Sequence, residues 1–570
     1  MKLNIILVIV GITLCITILS MLCNIKESSS AHLMQVNTSN NDHLVSATND
    51  SDDTPHLAKN QVLKVSSYSP AGFLDPQLSS TTGSFHMLNN IFEGLVREKD
   101  GEISAGIAER WDISKDYCTY TFHLRKSNWS DGTPLTAHDF EYAWKRGINP
   151  ETDSSCAYIF GTANILNAAE ILSGTKNYKQ LGVRALDDYT LEVKLTTPTE
   201  YFLSIITNPI FFPVKEDIVT KQDDWLYHPA TAVSNGPFIF SKGPNRQTAI
   251  YLKNKNYWDA ENITLDEVDM LIADANSGIC SNELYESGKV NFDILSPESV
   301  TGSILNDDEV HSLPITGTTL LAFNFDNPVF TDLRVRKALS ISINREEYDK
   351  SEITVGSEIA YGLVSDAFKT PDGSTFSDLV DTYGLTPNGN VDEALKSLSQ
   401  AGYSEINPFP EIRIYVNDNQ TAIEQAEYLK QFWKQNLNIN LNIKIDPWDV
   451  YINNLQAETA VPSDLMRISW CGDYNDPLSI LEIFETNNPN NVGHYSNEAF
   501  DQEIAKARTK HGLERTLHLR NAHNILMQDY ALIPTTYANE LIRCKRNIID
   551  WQVTGTGLLW LGNTKIVDDL

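Results

Sequence analysis

Seven cysteines, at positions 15, 23, 118, 156, 280, 471 and 544, and twelve histidines are the residues here best suited to metal or redox chemistry. No two cysteines form a CxxC pair and no histidine lies with a cysteine at ligand spacing, so neither a zinc site nor a dithiol centre is expected, and no cofactor is called for. His511 and His518 stand seven apart, which puts them on one face of a helix, where a solvated surface accounts for them. HExxH, GxSxG and GxxxxGK[ST] are absent, and with them the usual marks of zinc proteases, α/β-hydrolases and P-loop nucleotide enzymes. No pair among the 75 Asp and Glu residues stands out as an acid–base couple. The residue types weaken an enzyme reading and name no catalytic residues.

The segment Arg467-Ile468-Ser469-Trp470-Cys471-Gly472-Asp473-Tyr474-Asn475-Asp476-Pro477 sets charged and aromatic residues beside turn formers. On residue types alone, Asp473 reads as a turn or helix-cap residue ahead of Asn475-Asp476-Pro477. By the same measure Arg467 belongs to a surface or interlobe salt bridge and Trp470 to the core.

Alternating apolar residues mark the strands that must position such groups: Val62, Leu63 and Val65; Cys118, Tyr120, Phe122 and Leu124; Tyr189, Leu191, Val193 and Leu195. Asp131-Gly132 signals a turn, and Thr136 with Asp139 forms a capping box ahead of Phe140, Ala143 and Trp144 at helical spacing. Further on, Ile412, Ile414 and Val416 alternate; Ile423, Ala426, Leu429, Trp433 and Leu437 recur at helical steps; Leu437, Ile439, Leu441, Ile443 and Ile445 alternate again. Strand, helix and strand make a βαβ unit with parallel strands. The Asn417-Asp418-Asn419 loop between them is either a ligand-facing edge or an ordinary helix cap.

A chain of 570 residues needs two or three domains, and its net charge of −31 repels phosphate backbones and anionic lipid, which argues against nucleic acid or a peripheral membrane face. Residues 1–23 read as a signal peptide or a single membrane anchor, because Ile5 to Cys23 carry no charge. Cys23 stands where a lipidated cysteine would, although Leu22 replaces the small residue usual before it. Residues 24–61, rich in Ser, Asn, Asp and Thr, have the composition of a polar tether. The expected location is extracytoplasmic, anchored at the membrane or periplasmic, with membrane contact only through the N-terminus.

Several strings, in order along the chain, resemble the large extracellular solute-binding proteins of family 5. They include Leu74-Asp75-Pro76, Ile91-Phe92-Glu93-Gly94-Leu95 and Ala108-Glu109-Arg110-Trp111. The run from Trp129-Ser130-Asp131-Gly132 to Asp139-Phe140 follows, then Ser234-Asn235-Gly236-Pro237-Phe238, Asn254-Lys255-Asn256-Tyr257-Trp258-Asp259 and Asp332-Leu333-Arg334-Val335-Arg336-Lys337-Ala338-Leu339. Most of these strings build the fold; Gly236-Pro237, for instance, breaks the chain where lobes meet. The resemblance implies a bilobal, type II periplasmic-binding-protein fold of three α/β subdomains with a hinge and an interlobe ligand site: 62–92 with 211–316 and 541–570, then 93–210, then 317–540.

It also implies a role as the substrate-binding subunit of an ABC importer, with short peptides as ligand and the membrane permease subunits as partners. Nickel, haem, a sugar or a signalling peptide are the alternatives. In oligopeptide-binding members the aspartate matching Asp473 pairs with the peptide's ammonium, the main chain of Ser469 and Cys471 pairs with the peptide, and Arg467 falls where it meets a carboxylate end. Ser80 and Thr82 flank the opposite edge, and Trp470 lines a side-chain pocket. This chain departs from enteric members in three places: Ser80 replaces a glutamate; Cys156, rather than the nearby Tyr158, aligns with an aromatic at the mouth of the site; and Gly317 replaces the cysteine that pairs with the one matching Cys471, so no such disulfide is expected.

Overall fold

The computed structural model describes residues 56–568 except 69–71, 100, 243–244, 246–247, 274–280, 297–299, 301–303, 305–306, 350–356 and 457–462. Residues 1–23 with Cys23, residues 24–55 of the expected tether, the Ser69-Pro70 turn and Cys280 lie outside the described residues. Residues 57–61, also assigned to the tether, are tied to residues 566–567, although Leu57, Lys59 and Asn60 stay exposed. Leu57 bridges to Val567, and the buried side chain of Gln61 donates to Ile566 O at 2.6 Å and accepts from Ile566 N at 3.1 Å. The folded body therefore begins a few residues earlier than composition suggests.

One mixed sheet of eleven strands runs through the described residues. Ten of them are β1 (Val62–Ser67), β2 (Phe238–Lys242), β3 (Thr248–Lys253), β4 (Glu267–Ile272), β5 (Phe292–Ile294), β6 (Val310–Phe323), β7 (Ile412–Asn417), β8 (Leu441–Asp446), β9 (Leu465–Cys471) and β10 (Leu532–Cys544). Their order is β2-β3-β4-β1-β5-β10-β6-β9-β7-β8, and Glu358–Ile359 pairs with β10. The helices used below are α1 (Thr82–Ile91), α2 (Ala137–Ile148), α3 (Gln420–Leu437) and α4 (Gly512–Gln528). A separate four-stranded sheet carries Ala108–Ile113, Thr119–Leu124, Thr190–Lys194 and Val183–Asp187.

The βαβ unit is present, with β7 and β8 parallel and α3 between them. The second strand starts later than the alternation implies. Leu437 ends α3, Asn438 takes a left-handed φ of 57°, and β8 opens at Leu441. Asn419 caps α3, its Oδ1 accepting from Ala422 N at 3.1 Å, so the Asn417–Asn419 loop has the helix-cap role. The Thr136–Asp139 capping box forms as well, with Thr136 N donating to Asp139 Oδ2 at 2.7 Å. His511 and His518 do not share a helical face: His511 precedes α4 and stacks on Tyr117 at 4.0 Å, while His518 bonds Glu503 at 2.8 Å.

The two longest strands, β6 and β10, join the halves of the sheet. They pair antiparallel from Val310 with Arg543 to Ala322 with Leu532, and their register shifts between Pro314 and Thr318 and again between Thr319 and Leu320. Gly317 lies in the first shift, where a Cβ would come within 2.9 Å of Ala538 Cβ and 3.0 Å of Cys471 Sγ. A larger residue there would require Ala538 or Cys471 to shift. The expected divisions at 316/317 and 540/541 fall inside these two strands.

Several of the motif strings form polar keystones. Asp75 is fully buried; it accepts from Arg146 Nη1 and Nη2 at 2.7 and 2.9 Å, from Trp225 Nε1 at 2.9 Å and from Gln77 N at 2.9 Å. It thereby fixes the turn that leads into α1. Glu93 is likewise buried, accepting from Trp258 Nε1 and pairing with Arg97 at 3.3 Å, while Asn235 bonds its main chain on both sides. Gly236 serves close approach rather than a break between lobes: its N donates to Ile91 O at 2.8 Å, and a Cβ would meet Ile91 C at 2.5 Å.

Removing one partner of a buried ion pair strands the other. Asp75→Ala is therefore expected to lower stability by about 3–5 kcal/mol, and Asp75→Asn by less, because it keeps an acceptor for Trp225. Denaturant unfolding measures both; an unchanged midpoint for Asp75→Ala would overturn the keystone role.

Candidate functional site

The recognition segment extends from β9. On one side β9 pairs antiparallel with β6, setting Gly317 opposite Cys471, Thr318 opposite Trp470 and Thr319 opposite Ser469. On the other side β7 pairs with it only at Leu465 and Met466, so that ladder stops before Ser469. Beyond Met466 no strand among the described residues lies along this edge of β9, which leaves a sheet margin where an extended ligand could add.

Ser469 is exposed, and its Oγ lies 2.9 Å from Thr319 Oγ1. Arg467, two residues earlier on the same face, donates from Nε to Gln425 Oε1 at 2.9 Å and from Nη1 to Ser469 Oγ at 3.4 Å. Among the described residues it has no carboxylate partner. Trp470 turns inward: its ring is buried and its Nε1 donates to Ser479 O at 3.1 Å, which places it in the core instead of along a ligand pocket. Cys471 is buried, and the position facing it holds a glycine, so that position offers no thiol for a bridge.

Asp473 follows two residues after β9, partly buried. Tyr158 Oη donates to its Oδ1 at 3.1 Å. Burial pushes the Asp473 carboxyl up to about 7; the Tyr158 hydrogen bond opposes that rise and the nearby Glu482 adds to it. The phenol of Tyr158 is in turn raised by its own burial and by Asp473. Sequence reasoning passed over Tyr158 in favour of Cys156, the aligned position. The fold explains the exchange. Cys156 Sγ points to Ser79 O at 3.5 Å, and the short helix Tyr158–Thr162 turns the tyrosine toward Asp473.

Through that Cys156 contact the Ser79–Thr82 stretch lies beside the site. Ser80 is half-buried between the Asp75 turn and α1; Thr81 caps α1, and Thr82 is buried in its first turn. Behind Asp473, the buried Asp476 accepts from Arg515 Nη1 and Nη2, each at 2.8 Å. Asn475 ties the segment to β6 and to the β-strand Val96–Lys99, accepting from Thr316 Oγ1 at 3.0 Å and donating to Glu98 Oε1 at 3.1 Å. Glu98 Oε1 also accepts from Gly555 N at 2.6 Å. The Asp473 carboxylate, partly desolvated and without an ion-pair partner among the described residues, is suited to a ligand ammonium.

The family model for the bacterial extracellular solute-binding proteins, family 5 (middle region), matches residues 102–492. The chain belongs to this family. Over 491 residues this family-5 protein is 31% identical to the periplasmic oligopeptide-binding protein OppA of Escherichia coli (strain K12), covering 84% of this chain and 88% of that one. It superposes on the unliganded open form of the periplasmic murein tripeptide-binding protein MppA with a TM-score of 0.77 at 27% identity, covering 91% of this chain and 99% of that one. On Haemophilus influenzae OppA in complex with RPPGFSPFR the TM-score is 0.70 at 26% identity, covering 90% and 100%. The fold is that of the bilobal binding proteins, and the chain matches the open form more closely than the complex. It is a solute-binding protein and not an enzyme, in a family whose members work outside the cytoplasm.

Because the Tyr158 hydroxyl lowers the Asp473 pKa, Tyr158→Phe is expected to raise the carboxyl's titration midpoint above about 7. Carbon-13 titration of labelled aspartate carboxyls, assigned with Asp473→Asn, measures it. A lower or unchanged midpoint would show that the hydrogen bond has no electrostatic weight.

Proposed function

We propose that this family-5 protein captures short peptides outside the cytoplasmic membrane and delivers them to the membrane permease subunits of an ABC importer. The observation that carries the reading is the open margin of β9 ending beside Asp473. An extended peptide would add to the sheet along the main chain of Ser469 and Cys471, with its ammonium on Asp473 displacing the Tyr158 hydroxyl. Arg467, without a carboxylate among the described residues, would meet a carboxylate end farther along the strand. The main chain from Ser80 to Thr82 would close the opposite side.

In this reading the sheet divides at the β6–β10 register shift into two lobes, one of 62–92, 93–210, 211–316 and 541–570, the other of 317–540. Closure of the lobes would desolvate the peptide, with waters completing its side-chain hydrogen bonds. The closed form would be what the permease recognises, so capture and delivery are linked by a population shift. Residues 1–23, with Cys23 as a lipidation site, would anchor the body to the membrane through the polar stretch that follows. The similarity to OppA and MppA, named for oligopeptides and murein peptides, supports this choice of ligand.

Binding an ammonium requires ionised Asp473, so capture is favoured above its pKa of about 7 and lost as pH falls through it. The ligand-free protein responds in the opposite sense. A carboxyl whose folded pKa lies above its unfolded value holds its proton more tightly when folded, so this group's contribution to stability grows as pH falls from about 7 toward 4. Free peptides are expected to raise the thermal midpoint of the full chain at pH 8 and the same peptides N-acetylated to leave it unmoved. Between pH 7.5 and 6 the affinity for free peptides should drop by about tenfold, and Asp473→Asn should abolish capture at both. Equal shifts from free and acetylated peptides would remove Asp473 as the anchor; none from either would end the peptide assignment.

A further inference from the structure

Tyr117 ends the turn between the strands Ala108–Ile113 and Thr119–Leu124, where its N donates to Ser114 O at 2.9 Å and its φ is 56°. A left-handed residue closing such a turn is ordinarily glycine, because a large side chain crowds the following carbonyl. The Asp131-Gly132 turn of this chain follows that rule: Gly132 N donates to Trp129 O at 2.9 Å with a φ of 84°. Tyr117 is 44% exposed, so core burial does not offset its strain. The conformation instead delivers a contact. Its ring stacks on His511, with centres 4.0 Å apart and planes inclined by 24°. Beside this stack, Glu200 accepts from Gly512 N with both carboxylate oxygens, at 2.9 and 3.0 Å, and His511 Nδ1 lies 3.8 Å from Glu200 Oε2. Gly512 opens α4, where its N–H has no acceptor inside the helix and the helix dipole favours an anion.

We propose that Tyr117 and Glu200 clasp the start of α4 across the lobe interface, and that this clasp sets how long a captured peptide stays bound. The inference rests on the lobe division given above, which puts Tyr117 and Glu200 in one lobe and α4 in the other. The clasp also reaches the anchor segment. Arg515, in the first turn of α4, lies 4.0 Å from Glu200 and holds Asp476 by two bonds. Its guanidinium lies 5.2 Å from the ring centre of Tyr201, and Tyr201 stacks on Tyr474, the residue after Asp473. Parting the lobes at this end breaks both contacts, so the clasp favours the closed form whatever the sequence of the peptide. Tyr117 and Glu200 are thus positioning residues, and they act on release more than on capture.

Tyr117→Gly removes the ring and relieves the left-handed strain, so stability and binding should part company. In the full chain it is expected to leave the thermal midpoint of the ligand-free protein unchanged or raised. Exchange of the Gly512 amide, read at single-amide resolution, should quicken. Release of alanine peptides of two to five residues, followed by stopped-flow tryptophan fluorescence, should quicken about threefold with association little changed. Adding Glu200→Ala should bring the gain in release rate to about tenfold or more. Release at the wild-type rate from Tyr117→Gly overturns the proposal, and so does faster release that comes only with a lowered midpoint, the mark of a general structural role. If the wild type binds none of these peptides, peptide capture falls and the Gly512 amide decides the clasp alone: faster exchange in Tyr117→Gly sustains it, and unchanged exchange overturns it.

Discussion

Antiparallel pairing of Val310–Phe323 with Leu532–Cys544 governs the rest of the molecule, because every other strand of the large sheet reaches its counterpart in the other half only through this pair. A perfectly registered ladder would make the sheet one stiff plate. The shift between Pro314 and Thr318 instead leaves residues 315–317 outside the regular pairing with β10, and these groups make contacts elsewhere: Thr316 N donates to Gly555 O at 2.6 Å, Gly472 N to Thr316 O at 2.8 Å and Ser365 Oγ to Ile315 O at 2.8 Å. A bulge of this kind bends a strand locally while the pairing on either side persists. It also couples the joint to the site, since Gly472 directly precedes Asp473.

Around that joint, buried carboxyls do two different jobs. Asp75 and Asp476 meet bidentate arginines, and their value is positional: such pairs specify geometry without adding much net stability. Asp473 and Glu540 form no ion pair among the described residues. Burial lifts Glu540 to about 8, and one of its oxygens has no hydrogen-bond partner among the described residues. Charge compensation is thus complete at Asp75 and Asp476, where arginines fix the fold, and absent at Asp473 among the described residues.

How much of this was legible in sequence depended on how local the cause was. The βαβ unit, the Thr136 capping box and the first strand follow from side-chain period and short-range capping, which a single sequence displays directly. Asp473 was legible only through resemblance, since a carboxylate in a turn looks the same whether it caps a helix or waits for a ligand. Tyr158 was not legible at all: its partner lies 315 residues away, and the turn leading into the helix Tyr158–Thr162 decides whether residue 156 or 158 faces it. The inward turn of Trp470 and the late start of β8 were likewise set by tertiary contacts and by one left-handed asparagine, neither of which alternation reveals.

The placement of β10 as the last strand of the large sheet in chain order also dictates when the molecule can become itself. Until residues 532–544 exist, β5 and β6 each lack the neighbour that lies between them, and Gln61 lacks Ile566. Pairings this distant in the chain form slowly, because the loops they close are long. A growing polypeptide built to this plan lacks its central strand until the other strands of the large sheet have been made, so completion of the sheet is a late event.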